Sequence, residues 1–167
     1  MARPRWAGCS ATHIIVSLYG LIYLGAPVYK SAVRTMIRRN VRSLARGNPG
    51  PLLAGYADDA VLVFPGRSSW GGEHRGKAAI AEFLRRFIDA GLVGEVQEIL
   101  VNGPPWRTSV CVLFTDKAMD DSGKVIYENR SVLYGRAVWG KIVYQEDFED
   151  THKVEAFDAY LAARESP

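Results

Sequence analysis

Residues 31–46 carry a helical pattern. Val33, Ile37, Asn40 and Leu44 recur at i, i+4, i+7 and i+11, a spacing that puts them on one inward stripe. Arg34, Arg38, Arg42 and Arg46 make a second stripe, and Gly47-Asn48-Pro49-Gly50 supplies breaker chemistry at its end. The pattern predicts a short helix over 51–57 with Leu52, Leu53 and Tyr56 inward. It predicts a longer one over 77–90, where Ile80, Phe83, Leu84, Phe87 and Ile88 form an apolar face and Gly91 ends it. A last helix begins at Thr151, a plausible N-cap, and carries Val154, Phe157 and Leu161 on one side.

Between these stretches the period falls to two. Asp58-Asp59 lead into a strand over 60–64, stopped by Pro65-Gly66, and a loop over 67–76 follows. Further strands are predicted over 93–102, 107–118, 124–137 and 141–149. They are separated by Gly103-Pro104-Pro105, Asp120-Asp121-Ser122-Gly123 and Trp139-Gly140. Connections this short require antiparallel pairing. Helices followed by a meander describe an α+β fold with helices on one face of the sheet.

The order and spacing of several short motifs carry a resemblance. They are Leu44-Ala45-Arg46-Gly47-Asn48, Tyr56-Ala57-Asp58-Asp59-Ala60-Val61, Pro65-Gly66, Gly76-Lys77-Ala78-Ala79-Ile80 with Phe83-Leu84, and Gly140-Lys141-Ile142. Over residues 31–163 the chain resembles the SnoaL-like branch of the nuclear-transport-factor-2-like superfamily. The resemblance implies a cone-shaped, cystatin-like α+β barrel: a curved antiparallel sheet packed against helices that enclose one pocket. Residues 31–167 would form that domain, and residues 1–30 an added apolar segment. The superfamily hosts isomerases, dehydratases, cyclases, epoxide hydrolases and binding modules, so the fold leaves enzyme or binder open.

Strand parity nominates the pocket residues. Val143, Gln145, Asp147 and Glu149 share one face of the last strand; Ile142, Tyr144, Glu146 and Phe148 share the other. Val110, Val112, Phe114 and Asp116 share a face, as do Tyr127, Asn129, Ser131 and Leu133. Asp147 matches a pocket carboxylate of the limonene-epoxide-hydrolase-like relatives, and a second carboxylate falls on Asp116. Their intervening arginine falls on Phe114, and their water-holding tyrosine and asparagine fall on Val61 and Val63. In the ketosteroid-isomerase comparison the base falls on Phe64, the first-helix tyrosine on Asn40 and the protonated aspartate on about Val132. The expected constellation is therefore Asp147 and Asp116 as acid–base residues, with Asn40, Phe64, Val112, Phe114, Tyr127, Asn129, Ser131 and Gln145 contacting a small hydrophobic ligand. The alternative is a non-catalytic ligand-binding or membrane-associated assembly module.

Composition alters this picture only at the N-terminus. Hydrophobic residues are 48% and charged residues 23% of 167, ordinary for one globular domain. Net charge is +3, yet residues 1–48 hold Arg3, Arg5, Lys30 and the arginine stripe with no acid. Trp6 to Tyr29 contains no Asp, Glu, Lys or Arg. That stretch reads as a packing helix, a membrane anchor or a cleaved signal, and residues 6–46 as a possible membrane-binding surface. Otherwise a cytoplasmic location fits the cysteines, Cys9 and Cys111, the latter read as a buried free thiol. Tyr144 and Phe148, facing away from the pocket, suggest a homodimer. His13, His74 and His152 lack partners in the pattern; His74 could reach the pocket mouth. No metal spacing and no phosphate loop is present. No cofactor, metal or nucleic-acid partner is therefore expected, and Trp70 and Trp106 read as loop and rim residues.

Overall fold

The computed structural model describes the backbone of residues 11–165 and the side chains of 27–164. Arg3, Arg5 and Cys9 lie outside the described residues, as does the side chain of His13. Helix α1 runs unbroken through Ala11–Leu44 with Pro27 inside it. The boundary expected between residues 30 and 31 thus falls within a single helix. An interior proline takes its own N–H out of the helical ladder and crowds the carbonyl one turn before it. The inward stripe holds: Asn40 and Leu44 are buried, and Val33, Ile37 and Val41 pack on the core. Arg34 and Arg38 of the second stripe turn onto the domain, donating to the Ile99 and Val96 carbonyl oxygens at 3.2 and 3.3 Å.

The short helix α2 spans Gly50–Gly55, and Tyr56 already opens β1, Tyr56–Phe64. The expected helix to residue 57 ends early because Tyr56 is extended and buried in the core. The loop over 67–76 contains a strand, β2, Gly72–Arg75, paired antiparallel to β1. Helix α3 spans Gly76–Asp89 and buries Ile80, Phe83 and Leu84. Strands β3 (Val93–Asn102), β4 (Thr108–Met119), β5 (Val125–Val138) and β6 (Lys141–Glu149) follow the alternation of the sequence. Helix α4, Thr151–Glu165, closes the described chain. Its cap is Asp150 rather than Thr151: Asp150 Oδ1 accepts from the His152 and Lys153 amides at 3.1 and 3.4 Å. A carboxylate one residue earlier reaches the free N–H groups of the first turn.

The strand order is β2-β1-β6-β5-β4-β3. The meander β3 to β6 is antiparallel as expected, but β1 lies parallel to β6, so the sheet is mixed. This pairing brings the first and last strands together and sets Tyr56 beside β6. In the β5–β6 ladder Arg136 pairs with Tyr144 but Ala137 with Ile142, leaving Val143 as an extra residue. This bulge flips parity locally. Ile142 therefore packs against the core, on the face that strict alternation assigned to Val143. The β5–β6 turn is Trp139-Gly140 with φ of 51° and 78°, the left-handed pair that a tight hairpin favours.

Candidate functional site

The concave face of the sheet, the inward stripe of α1, and helices α3 and α4 enclose a cavity of ≈ 190 Å³. Its wall is chiefly apolar. Phe64 comes from β1, Phe83 and Phe87 from α3, Val112 and Phe114 from β4, Leu133 from β5 and Phe157 from α4. Of the expected ligand contacts, Asn40, Phe64, Val112, Phe114, Tyr127, Ser131 and Gln145 all line it, as do Asp116 and Asp147. Asn129 does not; it is buried behind the wall. Its Nδ2 lies 3.0 Å from Glu149 Oε2 and 3.1 Å from the Asp150 carbonyl oxygen, and its Oδ1 accepts from the Arg130 amide. Asn129 therefore holds the end of β6 and the entry to α4 instead of meeting a ligand.

Strand register explains how the carboxyls meet. Val112 pairs with Leu133 and Leu133 with Asp147; Phe114 pairs with Ser131 and Ser131 with Glu149; Asp116 pairs with Asn129. Asp147, Glu149 and Asp116 therefore occupy successive cross-sheet rows on the concave face. Glu149 stands between the two aspartates, and it too lines the cavity. Parity alone placed Glu149 on the right face. Its position beside the Asp150 turn gave no sign that the curved sheet would fold it inward.

Hydrogen bonds orient the cluster. Gln145 Nε2 donates to Asp147 Oδ1 at 2.9 Å, while Gln145 Oε1 accepts from the Tyr56 hydroxyl at 2.5 Å. The tyrosine thereby fixes which end of the amide faces Asp147. The Tyr127 hydroxyl lies 3.4 Å from Glu149 Oε2 and receives Asn129 Nδ2 at 3.2 Å. Among the described residues no Lys or Arg side chain lines the cavity. Burial pushes the carboxyls upward, and for Asp147 and Glu149 the neighbouring acids add to it. Asp147 rises to about 7, held back only by its bond from Gln145. Glu149 rises to about 8 through burial and the charges of Asp116 and Asp147. Asp116 rises to about 6, burial outweighing the Tyr127 hydroxyl. Crowded carboxyls with no cation in the cavity wall share protons instead of ionising together, although Lys153 acts on Asp116 from outside it. The cluster can thus hold a proton on one oxygen and offer a vacant lone pair on another near neutral pH, the requirement for paired acid and base work.

Of the other singled-out residues, Trp70 lines the cavity and the rest lie elsewhere. His74 does not reach the cavity; its Nε2 is 3.0 Å from the Trp70 carbonyl oxygen and its ring tilts on Phe83. His152 lends its backbone amide to the Asp150 cap. Cys111 is a free thiol on the outer face of β4, half-buried rather than fully buried. Trp70 is buried, with the Arg86 guanidinium 4.7 Å over its ring, and Trp106 is exposed beside Trp139. Among the described residues no three His, Cys, Asp or Glu groups are arranged to hold a metal ion.

An α+β cone around one apolar cavity with converging acids defines a small-molecule site of the usual form. The chain belongs to the SnoaL-like domain family, whose model matches residues 37–145, more than half its length. Similar solved structures share the fold. A nuclear-transport-factor-2-like protein of unknown function from Burkholderia pseudomallei is 21% identical with a TM-score of 0.61, covering 72% of this chain and 92% of that one. TerC, co-crystallised with polyporic acid, is 20% identical with a TM-score of 0.58, covering 76% and 97%. A candidate polyketide cyclase from Xanthomonas campestris is 17% identical with a TM-score of 0.55, covering 77% and 98%. No curated protein sequence matches the chain.

Proposed function

We propose that this protein is an acid–base catalyst acting on a small, largely hydrophobic molecule, of the isomerase or cyclase type. The observation that carries the reading is the carboxyl cluster: Asp147, Glu149 and Asp116 share one apolar cavity whose lining includes no cation. Asp147, oriented through Gln145, is the proton-accepting group. Glu149, pushed furthest up, holds the proton to be donated, and Asp116 tunes both through its charge. An enolisable carbonyl compound fits such a pair. One carboxyl removes the α-hydrogen while the protonated one donates to the carbonyl oxygen, giving an enol. Delivering a proton to a different carbon as the enol O–H is taken back completes an isomerisation. Attack of the enol carbon on a second carbonyl, whose oxygen takes up a proton as the enol O–H is lost, completes a ring closure. The family and the polyketide-cyclase-like fold relative support that class.

The test is hydrogen–deuterium exchange into a panel of enolisable cyclic ketones in heavy water, read by proton NMR. Asp147→Asn keeps shape but cannot carry the proton. It should cost a factor of about 10²–10⁴ while the melting curve stays cooperative. Exchange that is equal with parent and variant removes Asp147 from the chemistry. A second reading, a binding module without chemistry, draws on Phe114 standing where the epoxide-hydrolase-like relatives carry the cation. It is favoured if a ligand co-purifies with the protein and no panel member exchanges.

A further inference from the structure

We infer that the cavity is built for an uncharged lipophilic alcohol and that Asn40 is the residue that reads its hydroxyl. The inference rests on the small-molecule reading above and adds the ligand's chemical class. Asn40 sits on the inward stripe of α1, is 5% exposed and lines the cavity. Its Oδ1 is buried without a hydrogen-bond partner. Its stripe neighbours Ile37, Val41 and Leu44 offer no donor. A buried amide oxygen left unpaired weakens a fold, so its retention calls for a use other than folding.

The opposite wall repeats the pattern. Asp116 Oδ1 is also buried and unpaired. The nearby amide donors are already committed: Gln145 Nε2 to Asp147, and Asn129 Nδ2 to Tyr127, Glu149 and the Asp150 carbonyl. What the cavity leaves unfilled among the described residues are the Asn40 and Asp116 acceptors and a donor, Trp70 Nε1, so the occupant must bring a group that both gives and takes a hydrogen bond, as a hydroxyl does. It must also be apolar over most of its surface to match Phe64, Val112, Phe114 and Leu133. An anion would meet three acids and no cation, and a buried charge without a partner is costly. An ammonium would have to give up its hydration to pass the apolar wall, a cost that a neutral hydroxyl avoids. A hydroxyl on a hydrocarbon skeleton satisfies the Asn40 oxygen without carrying a charge into the apolar wall.

Four probes with one ring separate these cases: cyclohexylmethanol, methylcyclohexane, cyclohexanecarboxylate and cyclohexylmethylamine, titrated into the full chain at about pH 8, where the free carboxylate and amine probes carry their charges. Ligand-observed NMR reads the binding. The alcohol should bind about tenfold more tightly than the hydrocarbon, and the carboxylate should be rejected. Asn40→Leu, close in volume, should abolish the alcohol preference, keep the hydrocarbon and raise the melting temperature. Asn40→Ala should also lose the preference, so the result stands if the leucine variant folds poorly. An alcohol preference that survives both changes overturns the inference. So does a carboxylate that binds as well as the alcohol, or an amine that binds best regardless of Asn40. Turnover does not enter these measurements. Absent catalysis with an intact Asn40-dependent preference defeats only the acid–base reading, and catalysis without that preference defeats only this one.

Discussion

The hydroxyl of Tyr56 lies 2.5 Å from Gln145 Oε1. Tyr56 opens β1 and Gln145 belongs to β6, so this bond exists because the first and last strands lie parallel and adjacent. The same amide then donates to Asp147. A tyrosine in the cavity wall thereby orients the proposed proton acceptor through Gln145. Burial and the nearby Asp147 charge hold its hydroxyl well above the usual tyrosine range, so it stays protonated as the donor.

Tyr56→Phe tests that relay. Gln145 loses the bond that fixes its amide, and the variant should be destabilised by about 1 kcal/mol in chemical denaturation. Turnover should fall by about tenfold through kcat with little change in KM, because the contact acts through Asp147. A rise in KM alone would place Tyr56 in ligand binding instead.

The raised carboxyls make a pH prediction with a definite sign. In the folded state Asp147 and Glu149 titrate near 7 and 8, far above their unfolded values. Folded protein therefore binds more protons than unfolded protein between about pH 4 and pH 8, and stability from this cluster falls as pH rises through that window. Asp147→Asn removes one of these groups. Thermal melts should show the variant more stable than the parent at about pH 8 and close to it at about pH 4.5. A variant less stable at both values would mark Asp147 as a structural acceptor.

The outer face of the sheet carries the dimer expectation in altered form. Tyr144, expected in the patch, is half-buried; the Arg136 guanidinium lies 4.6 Å over its ring and its hydroxyl donates to Glu146. The bare apolar pair is Val132 and Phe148, cross-strand partners that are 39% and 52% exposed. Light scattering at micromolar concentration should give twice the chain mass, and Phe148→Lys should halve it without lowering the melting temperature. A parent of single-chain mass removes the dimer.

For the membrane expectation, no helix among the described residues is long and apolar enough to cross a bilayer. Arg34 and Arg38 are spent on β3, so among the described arginines surface binding would rest on the exposed Arg39, Arg42 and Arg46. Flotation with anionic vesicles should be lost in high salt and reduced when these three become glutamine, each cation near the surface contributing about 1 kcal/mol. Flotation unchanged by the substitutions would exclude a role for this stripe.

Much of this architecture is local chemistry and so was legible in the chain. The apolar stripes of α1 and α3, the Gly-Pro and Asp-Gly breaks, and the alternation through β3 to β6 depend on side chains a few residues apart. That alternation placed Asp116, Asp147, Ser131 and Gln145 on the cavity side. Three features depended on how the strands pair. The parallel seating of β1 on β6 joined Tyr56 to Gln145, residues 89 apart in the chain. The Val143 bulge turned Ile142 inward, since parity survives only until a strand gains an unpaired residue. The ladder registers set Glu149 between Asp116 and Asp147 and drew Asn129 behind the wall. Residue types and spacing define which groups can face a cavity. Only the packed sheet decides which of them lose water together, and that shared burial gives the carboxyls their unusual proton affinity.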